Sequence, residues 1–201
     1  MKILAISDVH GDKAFMRRMA QKGRQEQVDL VIIAGDLVDF GHSPEGLIGP
    51  FKEQGLEVAI IPGNHEGMAD INFLVETYKI KNLHGYSMKV GDIGIFGCGY
   101  GDIGMHQLTE QQFFDTLKLA HDSLLEKGIK KKLMITHVQP DDCFIGLKIP
   151  AWGSSGVRKA LKEFKPDLHL CGHIHETHGI EEVIEGIKVI NVGKTGRIFE
   201  L

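Results

Sequence analysis

Asp8, His10, Asp36, Asn64, His137, His173 and His175 are the residues of this chain whose types and spacing suit chemistry, because all seven carry oxygen or imidazole donors for divalent metals. Each lies just beyond an apolar run. Residues 2–7 lead into Asp8-Val9-His10, 30–33 into Ala34-Gly35-Asp36, 56–62 into Gly63-Asn64-His65-Glu66, 133–136 into His137, and 168–171 into Gly172-His173-Ile174-His175. Asp8 and His10 are two positions apart, which on extended backbone points them the same way. A carboxylate at the end of a buried strand is costly unless a cation meets it, and bound cations relieve repulsion within such a cluster. Seven donors exceed the three that a single catalytic zinc takes from protein. They suit two metals sharing one carboxylate, and Asp36, on a central strand of the set, is the expected bridge.

Two metals roughly 3.5 to 4 Å apart activate a bridging water as hydroxide and hold a phosphoryl group in line. Nothing in the sequence supplies a protein nucleophile, so direct attack by the bridging hydroxide is expected. His65 is placed to protonate the leaving oxygen, and Asp39 to accept its other ring N–H and fix the tautomer.

The elements that must position these residues read as alternating strand and helix over the first half of the chain. Strands at 3–6, 30–33 and 57–61 and helices at 13–27, between Pro44 and Gln54, and at 69–78 predict a parallel sheet with right-handed crossovers. Pro44 is the expected start of the second helix and Asp12 the N-cap of the first. In open α/β sheets ligands bind at the carboxyl ends of the strands, where the seven donors fall. Residues 87–90 and 93–98 predict a hairpin about Gly91-Asp92 with a type I′-like turn. Residues 97–101 lack dinucleotide-loop spacing and read as a flexible loop near the site. An amphipathic helix is expected over 109–127. On it His121-Asp122 resembles the core of the HD phosphohydrolase motif, but those enzymes are all-helical, so a surface pair is expected here. Lys130 to Lys132 read as a solvated approach to the strand at 133–136. Residues 138–153 form a loop in which Phe144 and Trp152 are candidates to wall a pocket. Ser154 and its neighbours cap a helix to about 164, residues 178–184 and 187–192 close as a hairpin, and Gly193-Lys194-Thr195 has no P-loop context.

At 201 residues, 42% hydrophobic and 25% charged, the chain is expected to form one domain over 1–201. A net charge of −4 gives no reason to expect bulk nucleic-acid or anionic-membrane binding. Cys98, Cys143 and Cys171 lack C-x-x-C spacing, which argues against a disulfide framework or a structural zinc site and for a reducing compartment. Residues 1–7 read as neither signal peptide nor spanning segment, so a cytoplasmic location is expected.

Asp8-x-His10, Gly35-Asp36-x-x-Asp39, Gly63-Asn64-His65-Glu66, His137 and Gly172-His173-x-His175, in this order, resemble the calcineurin-like metallophosphoesterases. The resemblance implies a two-sheet α/β/β/α sandwich and a metal-dependent phosphoric ester hydrolase. It places Asp8, His10, Asp36 and His175 on one metal and Asp36, Asn64, His137 and His173 on the other, with His65 as general acid and Asp39 behind it. Two departures narrow it. Protein Ser/Thr phosphatases of the superfamily carry an arginine where this chain has Phe40, and purple acid phosphatases carry a tyrosine where it has Asp39. What remains is similar to the small bacterial or archaeal phosphoesterases, many of them phosphodiesterases, with manganese favoured and nickel, iron, cobalt or zinc also compatible. The expected substrate is a small-molecule phosphoester. The alternatives are a nuclease of the same superfamily, for which no basic channel is seen, and a non-catalytic metal-binding interaction module, against which the filled ligand set argues.

Overall fold

The computed structural model describes residues 1–124, 128–149 and 152–201. In chain order the elements are β1 (Lys2–Ile6), α1 (Lys13–Gln25), β2 (Leu30–Ala34), α2 (Gly49–Glu53), β3 (Val58–Ile61), α3 (Met68–Tyr78), β4 (Lys81–Asn82), β5 (Ser87–Val90), β6 (Ile93–Cys98), α4 (Glu110–Asp122), β7 (Lys131–Thr136), α5 (Ser155–Phe164), β8 (Leu168–Cys171), β9 (Glu181–Ile184), β10 (Ile187–Asn191) and β11 (Arg197–Glu200). They form two mixed sheets. The first has the order β11-β1-β2-β3-β4, parallel except for β11. The second has the order β5-β6-β7-β8-β10-β9, parallel except for its two edge strands.

The strands are apolar on both faces because both faces are covered. Leu4, Ile6, Val31 and Ile33 pack with Phe15 and Met16 of α1, Phe51 of α2 and Leu74 of α3. Their neighbours Ile3, Ala5, Leu30 and Ile32 meet Ile95, Leu133, Ile135, Leu170 and Ile190 of the second sheet. Phe96, Met134 and Val189 then pack against Phe113 and Leu117 of α4 and Val157 and Leu161 of α5. The layers are therefore α/β/β/α. The carboxyl ends of β1, β2, β3, β7 and β8 carry the loops with the seven donors.

Several local readings change. The helix expected from Pro44 begins only at Gly49, because Gly46 takes a positive φ (+79°) and breaks the run into a turn closed by Leu47 N–H on the Pro44 carbonyl. In the β5–β6 hairpin Gly91 has φ +61° but Asp92 is not in the left-handed region, so the turn is not type I′. The β9–β10 turn is the one that meets the type I′ requirement, with both Glu185 (φ 53°) and Gly186 (φ 80°) left-handed. Helix α4 starts with a Thr109–Gln112 capping box and ends at Asp122, while positions 125–127 of the expected helix lie outside the described residues. His121 is no surface group: it is buried and stacked on Phe164, ring centroids 4.5 Å apart. Lys132 is only partly solvated, its Nζ donating to the Phe164 carbonyl. Asp12 caps α1 through Phe15 N–H and Ser154 caps α5 through Val157 N–H, as expected. The three cysteines are buried and unpaired, and among the described residues no helix is long and apolar enough to cross a membrane.

Histidines outside the metal-ligand set, chiefly buried His169 and half-buried His84, make the fold acid-sensitive. The Thr136 hydroxyl donates to the Val138 carbonyl, so it accepts Nε2–H of His169 (2.7 Å) and leaves His169 Nδ1 buried without a partner. Burial pushes His169 down to about 3 and His84 down to about 4. Below the ordinary value of about 6.5 the unfolded chain takes up these two protons and the folded one does not, so stability falls with pH. Glu66, pushed up to about 7 by burial and the Asp36 charge, works in the opposite sense over the same range. Stability of the metal-stripped protein is expected to fall from pH 6.5 toward 4.5, the lowered histidines outweighing Glu66. Urea midpoints across that range measure it, and His169→Gln should flatten the slope; an unchanged slope would remove His169 as a cause.

Candidate metal centre

Four of the seven donors sit in the left-handed backbone region: Asp8 (φ 54°), His10 (φ 49°), Asp36 (φ 51°) and His173 (φ 74°). Non-glycine residues hold such conformations at about 1–3 kcal/mol each, and only where the surroundings over-determine them. Here the surroundings are one another's loops. Asp8 N–H donates to the Gly35 carbonyl and His10 N–H to the Asp36 carbonyl, which fixes the β1 loop to the β2 loop. The Asp8 carboxylate accepts His173 N–H (3.1 Å), and Asp36 Oδ1 accepts His65 N–H (3.1 Å). Glu66, fully buried, accepts N–H from Asp36, Val38 and Gly63 at 3.1, 2.9 and 2.7 Å and so ties the β2 and β3 loops together. The approach is close enough that a Cβ on Gly63 would overlap the Asp36 carboxylate, and one on Gly172 would overlap Ser7 Oγ. Glycine at these two positions is a packing requirement.

The side chains converge. His137 Nδ1 donates to the Ala34 carbonyl (2.9 Å), which leaves Nε2 facing inward, 3.1 Å from Asn64 Oδ1, 3.4 Å from Asp36 Oδ2 and 3.3 Å from His173 Nδ1. His10 Nε2 lies 3.1 Å from His175 Nε2 and 3.8 Å from Asp36 Oδ2, and His175 Nε2 lies 3.6 Å from Asp8 Oδ1. Among the described residues, three sets of donor atoms each fall within 4.8 Å of one another: Asp8, His10 and His175; His10, Asp36 and His65; and Asp36, His137 and His173. The sets share His10 and Asp36.

This donor set fits divalent cations. Asp8 and Asp36 are buried, and the ion-pair partners the structure gives them are all imidazoles, of His10, His65, His137, His175 and His178. Burial alone would raise both carboxyls, yet the imidazoles hold both below their ordinary range. The same attraction overcomes the burial of His137 and pushes it up to about 10. Without a metal, the centre recruits protons to neutralise itself. Ring nitrogens stand in pairs 3.1 and 3.3 Å apart, and once deprotonated their lone pairs would suit a shared cation.

Asp39 is displaced from its expected place. Its Oδ1 is 2.8 Å from His10 Nδ1 and 4.0 Å from His65 Nδ1, so it orients His10, and His65 Nδ1 is buried without a hydrogen-bond partner. Phe40 stacks on the His65 ring, centroids 3.8 Å apart at 19°. Two further groups have no motif spacing to announce them. His178 Nε2 is 3.4 Å from Asp8 Oδ2, brought back by the tight turn over His175–Thr177. Asp102 sets Oδ1 3.2 Å from His173 Nε2, buried and without a hydrogen bond, and accepts Gly153 N–H on Oδ2 (2.9 Å), which places a carboxylate beside the His173 ring. Two pockets open beside these residues. One of about 370 Å³ is lined by His65, Val38, His42 and Asp70, and one of about 250 Å³ by His173, His175 and Trp152.

The calcineurin-like phosphoesterase profile matches residues 1–177. The fold is shared with TT1561 of Thermus thermophilus (18% identity, TM-score 0.76, 96% of this chain and 88% of that one). It is shared also with a dimetal phosphatase from Danio rerio (15%, 0.70, 98% and 88%) and with an archaeal phosphodiesterase (20%, 0.51, 96% and 84%). No curated protein matches the sequence.

Proposed function

The chain belongs to the calcineurin-like phosphoesterase family, and from that premise we propose that it is a dinuclear-metal hydrolase of a small-molecule phosphodiester. The observation that carries the proposal is the convergence of donors into sets joined through Asp36 and His10. Asp8, His10, Asp36 and His175 would hold one cation and Asp36, Asn64, His137 and His173 the other, manganese being the proposed metal. Bound there, the pair would supply activated water and charge neutralisation for the phosphoryl group. The remaining work falls to protein groups. Asp39 fixes the ring of His10, Asp102 sets a carboxylate beside that of His173, Glu66 holds the β2 and β3 loops in register, and Nε2 of His65 gives a proton to the leaving oxygen.

Two features favour a diester. Phe40 leaves the rim without the guanidinium that would grip the extra charge of a monoester dianion. Pockets on both the His65 and the His175 sides offer room for two ester arms. The shared fold is neutral here, since the proteins that share it include both a phosphodiesterase and a phosphatase. We treat 1–201 as one domain because β9, β10 and β11, beyond residue 177, complete both sheets.

Metal-stripped protein given back Mn²⁺ should hydrolyse bis-p-nitrophenyl phosphate faster than p-nitrophenyl phosphate. Preference for the monoester would overturn the diester reading, and silence with every divalent metal would overturn the hydrolase.

A further inference from the structure

We propose that the pocket beside His173 and His175 is a subsite for a planar heteroaromatic ring on the substrate, a nucleobase in preference to a simple aryl group. The proposal rests on the phosphoesterase reading above and goes beyond it by naming what one ester arm carries. The pocket's volume, about 250 Å³, suits a single ring system better than a whole drug-sized ligand. Trp152, Ile103 and Ile174 give it apolar walls, and an indole face is a platform on which a base stacks.

The wall and the centre are built as one piece. Asp102 Oδ2 accepts N–H of Gly153, the residue after Trp152, while Oδ1 lies buried 3.2 Å from His173 Nε2 without a hydrogen bond. The same carboxylate thus joins the loop that carries the indole to the ring of a candidate ligand. With one oxygen taken and the other buried, Asp102 is not the recognition group. Glu176 is: it lines the pocket as an exposed residue, and its side chain makes no hydrogen bond to the described residues. Two carboxylates on the wall repel a second phosphate, so the occupant is an uncharged ring, and an unpaired acceptor selects rings with an exocyclic amino group or ring N–H. His65 lines the other pocket and not this one. The ring therefore rides on the arm that the phosphate keeps, and the product is a monoester bearing it.

Trp152 is the chain's only tryptophan, so its fluorescence reads this pocket without turnover. Adenosine 5′-monophosphate, the product-like probe, should change that fluorescence saturably in the metal-loaded protein, and ribose 5-phosphate at equal concentration should not. In kinetics, Trp152→Ala should raise KM for a nucleotide diester by about 5- to 150-fold and leave KM for dimethyl phosphate unchanged. Glu176→Gln should weaken adenosine monophosphate and spare phenyl phosphate. An equal response to ribose phosphate, or equal KM changes for both diesters, would overturn the subsite; phenyl phosphate binding as well as adenosine monophosphate would overturn the nucleobase. Hydrolysis of bis-p-nitrophenyl phosphate with no fluorescence response would sink the subsite alone, whereas a saturable response with no hydrolysis would sink the hydrolase and leave the pocket standing.

Discussion

Replacing His65 by alanine is expected to slow hydrolysis of a phosphodiester with an alkoxide leaving group by about 10²- to 10⁴-fold while both metals stay bound. The expectation separates two roles that the geometry allows. His65 Nε2 lies 3.8 Å from Asp36 Oδ2, and His65 joins His10 and Asp36 in one of the three donor sets, so it is placed either to ligate or to deliver a proton. A ligand's loss empties or weakens a metal site. A general acid's loss leaves metal content alone and costs most when the leaving group is poor. Burial holds the imidazole below its ordinary range, which favours the neutral ring in the free protein. An anionic phosphoester brought beside Nε2 acts in the opposite sense, since an opposite charge within about 4–6 Å favours the imidazolium. The acid is thus charged by the substrate it serves. Metal analysis of His65→Ala beside rates for p-nitrophenyl and alkyl esters tests this. Loss of a metal would make His65 a ligand, and an unchanged rate with the alkyl ester would remove it from catalysis.

What could be read in the sequence follows from which contacts are periodic. β1, β2, β3, β7 and β8 are buried on both faces, so they appear as plain apolar runs, and the residue that ends each run is where chemistry is exposed. That is why all seven candidate donors were legible. Side-chain direction beyond the strand ends was not, because it depends on left-handed backbone at His10 and Asp36 that no spacing encodes. Asp39 consequently turns to His10, although its place near His65 in sequence suggested the other ring. Asp102 and His178 reach the centre from loops whose course is set by tertiary contacts: Asp102 stands in no patterned run, and His178, at the head of the strand expected over 178–184, lies ahead of β9, which begins only at Glu181. Glu66 was visible only as a neighbour of the rim. Its three backbone acceptor bonds are a property of how two loops meet. At the edges of the first sheet, β4 is two residues long and β11 is nowhere fully buried, so neither carries the apolar signature that marked the central strands.

Asp36→Asn is expected to abolish activity by disturbing both metals, and to destabilise the metal-stripped fold modestly as well. Asparagine keeps the shape and keeps Oδ1 as acceptor for His65 N–H, so the local hydrogen bond survives. It removes a buried charge that Asp8 repels but that the imidazoles more than balance, since the carboxyl is held below its ordinary range. The same attraction pushes His137 up to about 10, so at neutral pH folding favours this pair in its charged form. Taking the charge away therefore costs the stripped protein some stability, and the loaded one would lose the metal's contribution besides. Metal binding to the folded state alone stabilises by about 2.7 kcal/mol when free metal is 100 times its Kd, and the variant should lose most of that increment. Melting curves with chelator should fall somewhat below the parent's, and curves with excess Mn²⁺ should fall below it by more. Metal analysis should give fewer than two ions per chain. A variant that carries two metals and keeps the full metal-dependent increment would show that Asp36 does not join the sites, and the strained loop that presents it would then need another explanation. The outcome bears on why four left-handed donors persist: strain of about 1–3 kcal/mol each is held by the hydrogen bonds between their loops, and bound metal would add to that hold.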